Sequence, residues 1–291
     1  MALSCTTVQW RGLTLSSDRS SPFGIRTVTG WDELPDSRFE RDTRPGAHGV
    51  FATPVWSDER IVTLGGQIIS QRRDALLAEL RAAMTWGPNG GLVEDLQITR
   101  AGQTLTAQAR LTAFKTPTDA DWAVGVVPFA IEWRCPDPLR YADATNLSTT
   151  FATSSGGLEF PLFTDGTDDT GFLEFGEQGS TGRVSLPVQD GTAPGHTQLL
   201  VTGPVPPFSI VRVETGRRIA FARSVPAGDR LLIDTATGSA LLNGGDVDYS
   251  GLLTHWEWDP INPGEAATFA FLADGPTDTG TLTVIHRAAW W

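Results

Sequence analysis

The chain is 291 residues long with a formal net charge of −12, ample for a sizeable core and more consistent with two domains than one. Its apolar content and ten tryptophans exclude a disordered polymer, and no apolar run approaches the ~18 residues needed to span a bilayer. The charge is uneven: residues 1–140 hold 15 Lys+Arg against 16 Asp+Glu, whereas residues 141–291 hold 7 against 18. A step from −1 to −11 predicts a domain boundary near residue 140. It also argues against nucleic-acid binding by the second half, which phosphates would be repelled from.

The first seven residues, Met1 to Thr7, carry neither a basic start nor an apolar core. No signal peptide is expected, and assembly in a cytoplasm follows as the expectation. In that reducing setting Cys5 and Cys135 read as free thiols, too far apart in sequence to suggest a metal site.

In the first half the strand candidates are short and separated by Gly, Pro and Asp. Residues 70–84 break the pattern. Leu76, Leu77, Leu80, Ala83 and Met84 recur at helical spacing on one face, with Ser70 as the expected N-cap and Gly87-Pro88 as the stop. Asn89-Gly90-Gly91 reads as the turn that follows. Leu105 to Ala113 alternates small or apolar residues with polar ones, which predicts a strand facing a crowded interior. Phe129, Ile131, Trp133 and Cys135 alternate with Ala130, Glu132 and Arg134, the period of a half-buried strand. Cys135 falls on its apolar face and reads as a small core residue. Pro136-Asp137-Pro138 then ends the strand, since proline cannot donate to a sheet ladder.

The second half opens with a Thr-, Ser-, Gly- and Asp-rich stretch, residues 143–182, which reads as a linker leading to an edge strand near Phe172–Phe175. Strands then follow at regular spacing: 198–202, 209–214, 218–222, 230–234, 239–242, 255–258, 268–272 and 281–286. Gly203-Pro204, Thr215-Gly216, Gly228-Asp229, Asn243-Gly244-Gly245, Pro263-Gly264 and Asp274-Gly275-Pro276 punctuate them. The pattern is that of an antiparallel sandwich or jelly roll.

A search for chemistry returns little. There is no phosphate-binding Gly-rich loop with Lys, no His-Glu-x-x-His, no Gly-x-Ser-x-Gly and no Cys-x-x-Cys. His48, His196, His255 and His286 are dispersed, so no local metal cluster is indicated. Asp165, Asp190, Asp246 and Asp274 sit in turn-like contexts, where Asp hydrogen-bonds its own backbone. The stretch Asp165 to Gly171 does not follow the ligand spacing of an EF-hand and reads as a solvated acidic loop. The expectation is therefore no catalytic residue, no metal and no cofactor. His255-Trp256-Glu257-Trp258 would place Trp256 and Trp258 on one strand face, a core pair if it points inward and a sugar or subunit contact if outward. Trp290-Trp291 is expected to dock on this subunit or a neighbour.

Several of these stretches together resemble the distal tail proteins of long-tailed, non-contractile bacteriophages. Arg60 to Gly66, ending in Leu64-Gly65-Gly66 ahead of the helix, is similar to the family strand that precedes its single helix. Phe129 to Arg134 with Pro136, Asp137 and Pro138 resembles the end of the family's first domain. Ala227-Gly228-Asp229 running to Asp234-Thr235, then Leu241-Leu242-Asn243-Gly244, and Trp258 through Pro263-Gly264-Glu265 resemble three successive motifs of its second. Asp259-Pro260-Ile261 departs from the family pattern, where an apolar residue is usual, and residues 151–182 match nothing clearly.

The resemblance implies a mainly β protein of two β-sandwich domains. The first, 1–140, would carry the one α-helix and form a ring. The second, 141–291, would be an acidic, galectin-like or carbohydrate-module-like jelly roll. It implies a structural hub in the virion at the tail tip, a homo-hexamer between the tail tube protein and the baseplate, tail-associated and receptor-binding proteins, with DNA only as passing cargo. The alternative reading is a carbohydrate-binding protein that contacts a host glycan through the C-terminal sandwich. An enzyme would need a carboxylate pair in a cleft, which no motif signals.

Overall fold

A computed structural model describes residues 5–86, 92–117, 122, 125–152, 180–273 and 280–291. The protein is mainly β. It divides into two compact units, one of residues 1–143 with 289–291, the other of residues 144–288.

In chain order the first unit comprises β1 (Thr7–Trp10), β2 (Leu13–Ser16), β3 (Phe23–Thr29), β4 (Ser37–Arg38), β5 (Trp56–Ser57), β6 (Arg60–Ile69), α1 (Arg73–Ala83), β7 (Glu94–Arg100), β8 (Gln103–Lys115), β9 (Val126–Cys135) and β10 (Arg140–Tyr141). The second holds β11 (Thr145–Thr150), β12 (Arg183–Leu186), β13 (Thr197–Thr202), β14 (Phe208–Arg212), β15 (Arg218–Phe221), β16 (Arg230–Asp234), β17 (Ser239–Leu242), β18 (Val247–Asp248), β19 (Leu253–Trp256), β20 (Ala267–Ala273) and β21 (Thr281–His286). The last strand, β22 (Ala289–Trp290), returns to the first unit and pairs with β10, Arg140 opposite Trp290 and Tyr141 opposite Ala289.

The first unit is built on one sheet in the order β22-β10-β8-β7-β1-β2-β3-β6-β9, and β8 also pairs with β9. Strands β8, β7, β1, β2, β3, β6 and β9 thus close on themselves, which pairs the β9 edge that an open sheet would leave, while β10 and β22 extend from β8 outside the closure. Closure needs β8 to bend, and it does so at a bulge between Leu111 and Ala113. The displaced Thr112 hydroxyl donates to the Glu132 side chain at 2.9 Å. Residues of β9 alternate strictly between buried and half-buried, as period-two patterning requires. Its Trp133 ring meets Trp10 of β1 with centroids 5.8 Å apart in the interior.

Helix α1 contributes Leu77 and Leu80 to this core, together with Met84 just past its end, while Leu76 and Ala83 pack at the margin. The helical face is the one expected, but its start is not. Ser70 is no N-cap: Arg72 occupies that position without a side-chain cap bond, and the Ser70 hydroxyl accepts the Arg72 N–H at 3.1 Å instead. A serine this close to its own backbone can satisfy a turn as readily as a helix end. The Gly87-Pro88 stop and the turn at residues 89–91 lie outside the described residues, as do the edge strand near 172–175, the acidic loop at 165–171 and the turn at 274–276.

The second unit is a sandwich of two antiparallel sheets. One has the order β11-β21-β13-β16-β17-β18, the other β12-β20-β14-β15-β19. Inward residues of both meet in one core, among them Leu199, Leu231 and Val284 from the first and Phe208, Phe221 and Phe271 from the second. Phe151 stacks on Phe271 at 3.9 Å. The expectation of a linker directly after residue 143 is corrected at its start. Thr145–Thr150 is a strand, β11, paired with β21 along its length, because its Leu147 and Thr149 find shelter there that their composition does not announce.

Candidate interaction surfaces

Between β3 and β6 the first unit extends an arm, residues 36–58. Ser37 opposite Ser57 and Arg38 opposite Trp56 form its base, and an isolated bridge between Thr43 and Val50 holds its far part. The Phe51 N–H donates to Asp42 O at 2.9 Å, and the Thr53 hydroxyl to Glu40 O at 2.6 Å. The arm thus satisfies its backbone internally while its side chains do not enter a core. Phe39, Phe51, Val55 and Trp56 are exposed, Trp56 to 65 %. Arg41 lies over Phe39 and Arg44 over Phe51. Exposed apolar groups at this density are unusual on a monomer and mark a contact surface. Sequence reasoning missed the arm because it has no period of two or 3.6. Its available signal was the recurrence of aromatic and Arg residues between Phe39 and Trp56.

The stretch Pro136-Asp137-Pro138 sits on an anchor that sequence reasoning also missed. Arg60 is fully buried. Its Nε donates to Pro138 O at 2.8 Å, and its Nη1 to the carbonyls of Gly30, Trp31 and Glu33 at 2.8, 2.9 and 2.8 Å. Burial pulls the Arg60 guanidinium down to about 10, reinforced by the neighbouring Arg140 cation. Arg140 lies over the Trp31 ring and pairs with Asp32 at 3.1 Å, and it also donates to Trp291 O. Asp137 shapes the turn itself: one carboxylate oxygen accepts the Leu139 N–H at 3.0 Å, the other the Tyr141 hydroxyl at 2.6 Å. Cys135 is buried beside them, and burial pushes its thiol up to about 11, so it is a packing group rather than a nucleophile.

Gly65 and Gly66 are where strands approach closely. A Cβ on Gly66 would stand 2.4 Å from the Phe129 ring, and one on Gly65 would stand 2.6 Å from the Thr27 hydroxyl. In the second unit, Gly228 and Gly244 have φ of +86° and +81° in turns. Asp229 and Asn243 tie those turns together, the Asn243 amide donating to Asp229 at 2.9 Å. Asp234 accepts the Ala236 N–H at 2.8 Å and the Gln198 amide at 3.0 Å. Pro263 and Gly264 form the turn whose Gly264 N–H donates to Gln189 O at 2.9 Å. These positions shape backbone, and none of them converges with another on a common cleft.

Trp256 and Trp258 do not share a strand face, because β19 ends at Trp256. Asp259 pairs with Arg217 at 2.6 Å and Pro260 cannot donate to a ladder, so the chain leaves the sheet there. Trp258 packs on the core with its ring stacked on Phe269 at 5.4 Å. Trp256 remains 38 % exposed, beside Gly238. Trp290 packs against the first unit's core and Trp291 is 37 % exposed. Among the described residues no three His, Cys, Asp or Glu side chains gather as metal ligands, and no helix is long and apolar enough to cross a membrane.

Against known proteins, residues 190–290 match the family model of the siphovirus-type tail component, C-terminal domain. No curated protein sequence matches the chain. Among solved structures, the Dit protein of phage SPP1, described as a paradigm of hub adsorption apparatus in Gram-positive infecting phages, aligns with a TM-score of 0.62 at 11 % identity over 98 % of this chain and 99 % of that one. A chain of the phage P2 baseplate in its activated conformation with calcium gives 0.51 at 11 % identity, covering 98 % of each chain. The strontium form of that baseplate gives 0.51 at 10 %, with the same coverage. Residues 190–290 are therefore similar to the C-terminal domain of the siphovirus-type tail components, and the fold of the chain is similar to that of the SPP1 Dit protein over nearly the whole length of both.

Proposed function

We propose that the protein is a structural hub of a phage tail tip. Six copies close a ring through the first domain, residues 1–140, between the tail tube and the baseplate, tail-associated and receptor-binding proteins, and leave a channel through which DNA passes. The observation that carries this reading is the fold similarity to the SPP1 Dit protein over 98 % of this chain and 99 % of that one, together with the family match of residues 190–290. The exposed arm at residues 36–58 supplies a surface for subunit contact, and the near-balanced charge of residues 1–140 lets like subunits approach. A heterologous contact of this kind closes when its rotation divides a full turn. The reading includes no catalytic step, cofactor or metal.

The acidic second domain, residues 141–291, faces away from the DNA path and serves as a docking surface. Six copies of a domain at −11 around a narrow pore would crowd like charge and oppose assembly. Cryo-electron microscopy of assembled tails tests both points. Sixfold density for this chain at the tip, with the second unit peripheral, is the expected result. Density without sixfold symmetry, or the second unit lining the channel, overturns it. The exposure of Trp256 favours a second reading, in which the same domain also contacts a host glycan. Glycan-array binding by the intact chain and its loss in Trp256→Ala is the expected outcome there, and an array without signal leaves docking alone.

A further inference from the structure

The outer faces of the two sheets in the second unit break the rule that solvent-facing strand positions are polar. On the six-stranded sheet, Leu200, Leu232 and Leu241 stand side by side in register, all on the outward, half-buried side, and the row ends on the exposed Asp248. Asp234 lies in the adjoining row and Asp246 two residues before Asp248. On the five-stranded sheet, one outward row reads Arg183, Ala270, Val211, Arg218. Beside it Leu272 is 50 % and Val213 43 % exposed. Three strand spacings separate the two arginines, about 14 Å, leaving an apolar saddle between them.

The charges sort with these faces. Arg212 pairs with Glu214 and Glu265, and Arg217 with Asp259. Among the described residues Arg183 and Arg218 make no ion pair with a carboxylate, and Asp234, Asp246 and Asp248 make none with a cation. Arg230, next to Asp229, is the one basic residue among the described residues at the acidic end of the six-stranded sheet. One unit thus presents an apolar stripe edged by carboxylates on one side and an apolar saddle edged by guanidiniums on the other.

We infer that the second unit associates with a second copy of itself head to tail, the leucine stripe of one copy covering the Val211 saddle of the next, with Asp246 and Asp248 facing Arg183 and Arg218. Apolar area drives the contact, while the charges fix its register and orientation. Because the two faces differ, the contact is heterologous and passes from copy to copy rather than closing on a pair. It stands apart from the arm of the first unit and does not rest on how that arm docks.

The test uses the full chain and two variants, R183E/R218E and D246R/D248R. The first has two acidic faces and the second two basic ones. Each alone is expected to sediment as a monomer at this contact. Because the Asp248 carboxylate accepts the Ser250 N–H at 2.9 Å and the Ser250 hydroxyl at 2.5 Å, D246R/D248R is expected to melt somewhat lower than the original, and melting curves confirm that both variants remain folded at the assay temperature. An equimolar mixture is expected to associate, and raising salt from about 0.05 to 0.5 M to weaken that association about tenfold or more. R183A/R218A, which only removes charge, is expected to fall between. A mixture that sediments as its two separate components overturns the inference. Failure of the hub reading shows differently, as absence of the chain from tail tips whatever its charge variants do in solution.

Discussion

At the scale of single residues, Arg60 has the largest structural consequence. Its guanidinium satisfies carbonyls from the 30–33 loop and from the Pro136–Pro138 turn at once. Arg60→Met fills part of the volume but strands several buried acceptors, each costing about 1–3 kcal/mol. A stability loss of roughly 3 kcal/mol or more in denaturant melts is expected, and a loss below ~1 kcal/mol would reject the anchor. Gly66→Ala meets the Phe129 ring and the Gly24 carbonyl, and overpacking of this kind costs about 1–3 kcal/mol. His286 gives a pH dependence. It is buried, and burial holds its imidazole below the ordinary value of 6.5. The unfolded chain therefore takes up this proton first, so the stability contribution is full above 6.5 and falls as pH drops below it. His196 is the titratable neighbour that bears on it. Thermal melts between pH 7.5 and 5 should slope down in the unvaried chain and flatten in His286→Gln, and equal slopes would count against the assignment.

At the scale of elements, what could be read in advance was whatever repeats. β9 and β8 were legible because every second residue is buried, and the helical face because Leu77, Leu80 and Met84 recur at its period. Ser70 misled because a serine before an apolar run signals a cap and a turn equally. Arg60 was read only as part of a strand, since a charged residue at a strand start gives no sign of carbonyls from a loop 30 residues away. Trp256 and Trp258 do not share the expected strand face because β19 ends at Trp256, and Asp259 and Pro260 take the chain out of the sheet. The arm stayed hidden because its side chains pack on no core of their own. Its prediction is correspondingly clean. Phe51→Ser with Trp56→Ser removes exposed apolar area, so the isolated chain should melt within about 0.5 kcal/mol of the original. Incorporation of the chain into assembled tails should nevertheless fall sharply. Normal incorporation would remove the arm from the subunit contact.

For the whole molecule, the boundary between the units is crossed twice, after residue 143 and again after residue 288. Protease cleavage at the first crossing should give two pieces of similar size under denaturing conditions. Under native conditions they should still co-elute, because β22 belongs by sequence to the C-terminal piece and by pairing to β10. Separation without denaturant would show that pairing to be too weak to matter. Melting curves with and without EDTA should coincide, since a ligand held only by the folded state would raise its stability.

The return of β22 also has a mechanical meaning. In the second unit Thr145 lies opposite His286, and in the first Tyr141 lies opposite Ala289, so the outgoing and returning chains run as neighbouring strands on both sides of the boundary. A load applied to the second unit enters the first through two covalent lines in parallel. It then reaches β8 through the pairing of Tyr141 with Thr106. Pulling the two units apart therefore loads the β10–β22 and β11–β21 ladders together, so neither crossing carries the force alone.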